Sequence, residues 1–309
     1  MKKVLITGVA GFIGSNLAEF LLKRDCEVIG IDNLSYGVLE QIPAGVKFYK
    51  EDIRDKKISD LFNGVDYVFH LAAKNSIIDC ENNPSETLDI NVNGTTNIFN
   101  ASKKQNVRKV IYAESSAVYE GSQNLPSKES DTAPESVYAK SKIATNDIAN
   151  DFVQSHGLIS TGLRYFNVYG PKQDYRRTIP PVFSAFIIKL LKGEQPIIYG
   201  DGSKKRDFIY VDDVNCFHLM CIDSWRAEKT NNEVFNIGSG KNYSIKFIYD
   251  TIKKILDSDI EPLFGENWDF EAQENLANIE KAKNIGWNPT TDLSTGLKKS
   301  IDYIRNHVI

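Results

Sequence analysis

The stretch Lys3-Val4-Leu5-Ile6-Thr7-Gly8-Val9-Ala10-Gly11-Phe12-Ile13-Gly14-Ser15 constrains this chain more than any other. Val4, Leu5 and Ile6 form a short apolar run of the kind found in a strand buried on both faces. The run breaks into glycines three apart, Gly8, Gly11 and Gly14, and an amphipathic stretch from Phe12 to Lys23 follows at once. One glycine suits the tight strand-to-helix turn, one lets a pyrophosphate approach the main chain, and one lets the helix pack closely on the strand. The helix start then offers free N–H groups and the positive end of its dipole to phosphate. A glycine triplet alone also fits an ordinary turn. Context strengthens it, because a second apolar run, Val28-Ile29-Gly30-Ile31, ends on Asp32 about eighteen residues past Gly14. An acid there accepts hydrogen bonds from the hydroxyls of an adenosine ribose. A carboxylate would repel a 2′-phosphate, so the pattern predicts a site for NAD.

Composition bounds the rest. With 309 residues, 41% hydrophobic and 25% charged, the chain suits one large globular domain or a domain and a half. A net charge of −4 gives no sign of nucleic acid or anionic membrane as partner. No apolar run approaches the length of a membrane span, and the first strand begins too early to leave room for a signal peptide. Cys26, Cys80, Cys216 and Cys221 lie far apart with no C-x-x-C pair, which reads as reduced thiols in the cytoplasm rather than a disulfide or zinc framework. The four histidines are scattered too, and no metal site is expected.

Up to about residue 170 strand-like and helix-like segments alternate, the pattern of βαβ units and a parallel sheet. A third strand, Val46 to Lys50, ends in Glu51-Asp52-Ile53. Asp52 can hydrogen-bond an adenine and Ile53 can cover its face, although a solvated loop acid reads the same way. A fourth, Asp66 to His70, runs into Leu71, Ala72 and Ala73, small or apolar residues that leave space where ligands bind. A helix-like stretch from about Pro84 to Gln105 contains Gly94, which costs about 1 kcal/mol against alanine in a helix interior and so implies close packing. The fifth strand, Lys109 to Ala113, leads to Ser115 and Ser116. A helix further on holds Tyr138 and Lys142, four apart and therefore on one face. A tyrosine keeps its proton to about pH 10. A neighbouring ammonium, together with the positive nicotinamide ring, favours the phenolate. Tyr138 is thus a candidate base, Lys142 its partner and a ribose ligand, and Ser115 a donor to the same substrate oxygen. A surface Tyr-Lys pair is the alternative. The order of glycine loop, Asp32, serine-rich strand end and Tyr-x-x-x-Lys argues against it.

These residues together resemble the extended short-chain dehydrogenases/reductases, in particular the nucleotide-sugar epimerase/dehydratase family, over almost the whole chain. The marks are Thr7-Gly8-x-x-Gly11-Phe12-Ile13-Gly14, Asp32-Asn33-Leu34, Asp52-Ile53, His70-Leu71-Ala72-Ala73, Asn91-Val92-x-Gly94-Thr95, Ser115-Ser116-x-Val118-Tyr119 and Tyr138-x-x-x-Lys142. Leu163-Arg164-Tyr165-Phe166-Asn167-Val168-Tyr169-Gly170-Pro171 and Arg206-Asp207-Phe208-Ile209-Tyr210-Val211-Asp212-Asp213 resemble its second half. The resemblance implies a Rossmann-type doubly wound parallel sheet over 1–170 with a smaller α/β substrate lobe over 171–309, segments about 210–235 returning to the first. It adds Asn33, Asn91 and Tyr165 to the cofactor residues, and makes Tyr138 the base. It places a UDP-sugar against Lys74, Ser115, Ser116, Tyr138, Asn167, Arg206 and Asn275, with Arg206 on the diphosphate.

Dehydratases and decarboxylases of the family place an acid just after the active-site Ser/Thr. Here Ser116 and Ala117 stand there, which favours epimerisation at C4 of a UDP-hexose. The resemblance places Asn275 at a position associated in epimerases with admitting or excluding an N-acetyl group, and a residue smaller than tyrosine there suggests room for one. Other nucleotide-sugar chemistry, or an NAD-binding scaffold without catalysis, are the alternatives. Three departures stand out. Glu120 replaces the glycine of V-Y-G, and Glu114 replaces a small residue and should face away from Ser115. The segment that supplies a second diphosphate arginine reads Glu266-Asn267-Trp268-Asp269-Phe270. Relatives commonly form homodimers through two helices, and Ile143, Ile148, Phe152 and Val153 suit either such an interface or the sheet.

Overall fold

The computed structural model describes residues 1–176, 180–223, 225–267 and 272–309. In chain order, β1 (Lys3–Thr7), α1 (Phe12–Leu22), β2 (Glu27–Asp32), β3 (Lys47–Lys50) and β4 (Tyr67–His70) come first. Then follow α2 (Ile77–Asn82), α3 (Pro84–Leu88), α4 (Gly94–Lys104), β5 (Lys109–Ser115), α5 (Val137–His156) and β6 (Ser160–Tyr165). The second half holds β7 (Asn167–Tyr169), α6 (Val182–Leu191), β8 (Ile197–Tyr199), β9 (Lys205–Tyr210), α7 (Val211–Ile222) and β10 (Glu233–Ile237). It ends with β11 (Asn242–Ser244), α8 (Ile245–Ile255), β12 (Leu263–Gly265), α9 (Glu280–Asn284) and α10 (Leu293–His307).

Seven strands form one sheet in the order β10-β6-β5-β4-β1-β2-β3, and every pairing is parallel. The apolar runs fall where a two-sided sheet needs them. Val4, Ile6, Val28, Phe69 and Ile111 point to a core closed by α1 and α7. Leu5, Ile29, Val68, Val110 and Tyr112 point to the opposite core, closed by α4 and α5, as period-two alternation dictates. The fold is doubly wound as expected. The order in which strands are added reverses at β1, with β2 and β3 going to one side and β4 to the other, and this switch point opens a crevice at the strands' carboxyl ends.

Most elements of the second half form a smaller assembly, with a three-stranded sheet β11-β9-β7 and a two-stranded one, β12-β8. Its core joins Phe183, Phe186 and Ile187 of α6 to Ile248 and Ile252 of α8 and to Leu297 and Ile301 of α10. The expected 84–105 helix is interrupted by a widened π-turn over Asp89–Asn93. A Cβ on Gly94 would stand 2.6 Å from Ile53 Cδ1, so this glycine marks close packing. Ile148 and Phe152 pack against the sheet-side core and Ile143 against Val118 and Phe166. All three keep part of their surface exposed. No helix among the described residues is long and apolar enough to cross a membrane.

Candidate active site

The crevice is a cleft of about 540 Å³ running from the glycine loop to the end of β5. Gly8 adopts φ +74°, and a Cβ there would lie 2.8 Å from Ala72 N. A Cβ on Gly14 would lie 2.1 Å from Gly8 O. Only glycine permits this turn and this approach of helix to loop. The first N–H groups of α1, from Phe12, Ile13 and Gly14, have no partner within the helix and line the cleft with Gly11. At the end of β2 Asp32 accepts hydrogen bonds from Ala10 N at 3.0 Å and Leu34 N at 2.8 Å. Burial raises its pKa while these N–H groups oppose the rise. A phosphate cradle with a fixed carboxylate about one strand away is the donor and acceptor set that an NAD pyrophosphate and ribose require. The residues fit the cofactor.

Further along, Asn33, Asp52 and Ile53 all line the cleft. Asp52 is not a loose loop acid. Arg54 grips it with Nε and Nη2, at 2.9 and 2.8 Å, and Asn33 Nδ2 adds a third bond at 3.0 Å. The Arg54 guanidinium holds the Asp52 carboxyl well below the usual range. Arg54 also reaches Asp89 at 2.8 Å, tying the Asp52 end of the cleft to the π-turn. Arg54 lines the cleft itself and escaped the sequence reading, although its place two residues after Asp52 was a signal.

Leu71, Ala72, Ala73 and Lys74 form the wall beyond β4. Asn91 is elsewhere. It lies buried behind that wall, accepting from Lys74 N at 2.8 Å and donating to Lys74 O at 3.0 Å and Ser141 Oγ at 2.9 Å. Its role is to hold the wall. Behind it His70 bridges two hydroxyls, Thr7 at 2.8 Å and Thr95 at 2.9 Å. Thr95 gives its proton to Asn91 O, so it accepts from Nε2–H. Nδ1 then accepts from Thr7, whose oxygen takes Ala72 N–H at 3.2 Å. Burial depresses the imidazole to about 3 and keeps it neutral. The Lys74 ammonium is ion-paired with Glu86, a second cleft residue that sequence reading missed.

Tyr138 and Lys142 reach the cleft from the first two turns of α5, and Ser115 from the end of β5. Lys142 Nζ lies 5.8 Å from the Tyr138 ring centroid and donates to Ala113 O at 3.0 Å. Burial lowers its pKa to about 8, so its ammonium is poised rather than permanent. Ser115 Oγ accepts from Ala117 N at 3.2 Å, which leaves its proton for a ligand. Ser116 starts the following 3-10 turn, outside the cleft wall. Glu114 is sealed, its Oε2 2.6 Å from Arg164 Nε, with both side chains buried.

The remaining substrate candidates gather in the smaller sheet. Tyr165, a cofactor candidate at the end of β6 in the large sheet, lines the cleft, and its hydroxyl meets His218 Nε2 at 2.7 Å. Two residues on, Asn167 donates to Asp207 O at 2.9 Å and to Asn275 Oδ1 at 3.4 Å, while Asp207 N donates to the same oxygen at 2.7 Å. Asn275 thus ties the start of β7 to β9, and none of Asn167, Arg206 and Asn275 is among the residues that line the cleft. Trp268, Asp269 and Phe270, from the segment lacking the second arginine, lie outside the described residues. Also unread in the sequence was the loop after β7, whose Lys172, Tyr175 and Arg176 border the cleft. Lys172 pairs with Glu19 of α1 at 2.9 Å and Asn16 donates to Pro171 O at 2.9 Å.

Residues 4–238 match the model of the NAD dependent epimerase/dehydratase family. A putative UDP-glucose 4-epimerase of Methanocaldococcus jannaschii is 36% identical, across 98% of this chain and 99% of that one. The crystal structure of UDP-glucose 4-epimerase with UDP-glucose from Thermotoga maritima superposes with a TM-score of 0.94 at 33% identity, covering 99% of this chain and 100% of that one. A UDP-N-acetylglucosamine 4-epimerase from Methanobrevibacter ruminantium, in complex with UDP-N-acetylmuramic acid, gives 0.94 at 34% identity, covering 99% of each chain.

Proposed function

The chain belongs to the NAD dependent epimerase/dehydratase family, and on that premise we propose that it inverts C4 of a UDP-hexose, interconverting UDP-glucose and UDP-galactose. The observation that carries this reading is the convergence of Tyr138, Lys142 and Ser115 on the cleft that begins at the glycine loop. When bound, NAD supplies a nicotinamide ring that takes a hydride from the sugar carbon and later returns it. Tyr138 accepts the proton of the 4-hydroxyl, leaving a 4-keto sugar. Lys142 favours the phenolate by its charge, and Ser115 donates a hydrogen bond to the same oxygen. Once the sugar has presented its other face, Tyr138 returns the proton and no net oxidation remains.

Two features favour epimerisation over loss of water. Ala117 offers no carboxyl after the serine pair, and Glu114 is held by Arg164 away from solvent. Asn167 and Asn275 would hold the nucleotide sugar, with Arg206 on its diphosphate. Asn275 is short and tied down by Asp207 N, which supports acceptance of an N-acetylated hexose as well. The relative that acts on UDP-N-acetylglucosamine is consistent with this.

Product analysis by proton NMR after incubation with UDP-glucose, and separately with UDP-N-acetylglucosamine, tests both statements without added cofactor. Equilibration of each with its C4 epimer is expected. Strong conversion of UDP-glucose with none of the N-acetyl sugar would remove the second statement. No conversion of either, even with NAD supplied, would remove the first. Tyr138→Phe should lose about 10²–10⁴-fold in kcat while still retaining NAD.

A further inference from the structure

We infer that Glu120 is a positioning residue that locks the helix of Tyr138 to the strand end of Ser115; this rests on the epimerase reading for the roles of those two groups. The helix α5 starts from Ser136, whose Oγ accepts from Ala139 N at 3.1 Å. Glu120 accepts from both donors of Ser136, the main-chain N–H at 2.9 Å and the hydroxyl at 3.1 Å. A serine hydroxyl has one proton. By taking it, Glu120 fixes the lone pairs toward Ala139. The next N–H, of Val137, goes to Glu81 of α2 at 2.6 Å. The two residues before Tyr138 are each gripped by a carboxylate, which the positive end of the helix also favours.

The other end of the tie is Ser115. It caps the 3-10 turn Ser116–Tyr119, and Glu120 N closes that turn on Ala117 O at 3.1 Å. One turn and one carboxylate therefore connect the hydroxyl of Ser115 to the first turn of α5. Tyr138 and Ser115 must meet a single substrate oxygen, and a displacement of about 1 Å can cost about 100-fold. Where the family pattern has a glycine, with no side chain to make such a tie, this chain has added one. The loop between is closed independently by its main chain, Gly121 N to Ala133 O at 2.9 Å and Ala133 N to Val118 O at 2.8 Å. Replacing Glu120 thus leaves the loop's base in place.

The test compares wild-type holoenzyme with Glu120→Ala and Glu120→Gln. The alanine variant should lose roughly 10- to 100-fold in kcat, with KM for the UDP-sugar and NAD content unchanged. Its amides at Val137–Ala139 should exchange with deuterium faster. Glutamine keeps an acceptor for Ser136 and should restore kcat to within about threefold. Wild-type kcat in the alanine variant, or a parallel fall of kcat, NAD content and sugar affinity, overturns the inference. A wild-type protein inactive on both sugars would instead sink the epimerase reading. Exchange at Val137–Ala139 then still decides, and no change in the alanine variant overturns the tie.

Discussion

Lys142 is a costly residue at the place where it is useful. The unfolded chain keeps this ammonium to its ordinary value of 10.5, whereas burial in the fold lowers it to about 8. Between those values the unfolded state binds more protons, so stability rises with pH across that window, and below it the fold bears the full cost of a buried charge. Lys109 is lowered by burial to about 8 as well, with its ammonium on Ala227 O, Thr230 Oγ1 and Asn231 Oδ1. Lys142→Met should therefore remove roughly half of the rise in Tm between pH 8 and 10, without lowering Tm at pH 7. Its kcat should fall about 100-fold or more. In the cofactor-free wild type, the ammonium that supports Tyr138 is lost as pH passes about 8. A melting series against pH in both proteins checks the sign. Opposite slopes would mean that another group controls it.

Among the elements, the loop after β7 behaves as a clasp. Lys172 sits at φ +67°, its ammonium on Glu19 and its carbonyl accepting from Gln41 at 3.3 Å. Lys172 holds the Glu19 carboxyl down to about 2, so the pair survives through ordinary acid conditions. A half-buried pair worth about 1 kcal/mol converts to roughly a fivefold change in an equilibrium. Lys172→Ala should lose NAD about that much more readily, read as cofactor remaining after gel filtration, at unchanged KM for the sugar. This clasp was illegible in the sequence because Glu19 and Lys172 meet only once α1 and the β7 loop have packed. Arg54 was missed for a similar reason, since its second partner, Asp89, comes from a π-turn that no periodicity announces. That turn also explains Asn91, which resembled a cofactor ligand but is drawn inward to Lys74 and Ser141. Gly8, Gly14, Asp32, Tyr138 and Lys142 stood out in the sequence because each belongs to a short motif with a fixed spacing, even though Asp32 and Lys142 also reach partners far along the chain.

Across the whole molecule, the alternation of Val4, Leu5 and Ile6 between two cores made the parallel sheet legible from its first strand. The late strand β10 and helix α7 complete the sheet and its α1 face, and what fastens the far end of the chain to them is Asp213. This buried carboxylate accepts from Thr290 N, Thr290 Oγ1 and Thr291 N at 2.9, 3.0 and 3.0 Å, while its carbonyl takes Trp287 Nε1 at 3.1 Å. Asp213→Ala should cost about 3 kcal/mol, because buried donors lose their acceptor, and calorimetry should show it as a lower Tm. No sequence pattern distinguished this structural acid from its neighbour Asp212, which is half exposed and pairs with Lys299 at 3.5 Å.

The sealed imidazoles give the molecule a pair of internal observers. Of four histidines, burial depresses His70 and His218 to about 3, so both are neutral at ordinary pH. His70 leans on the strand of the glycine loop through Thr7, and His218 on Tyr165 across the cleft. Their ring nitrogen resonances should hold still across neutral and mildly acidic pH, well above that value. Any movement on adding NAD or a UDP-sugar then reports displacement of one wall or the other, free of proton chemistry.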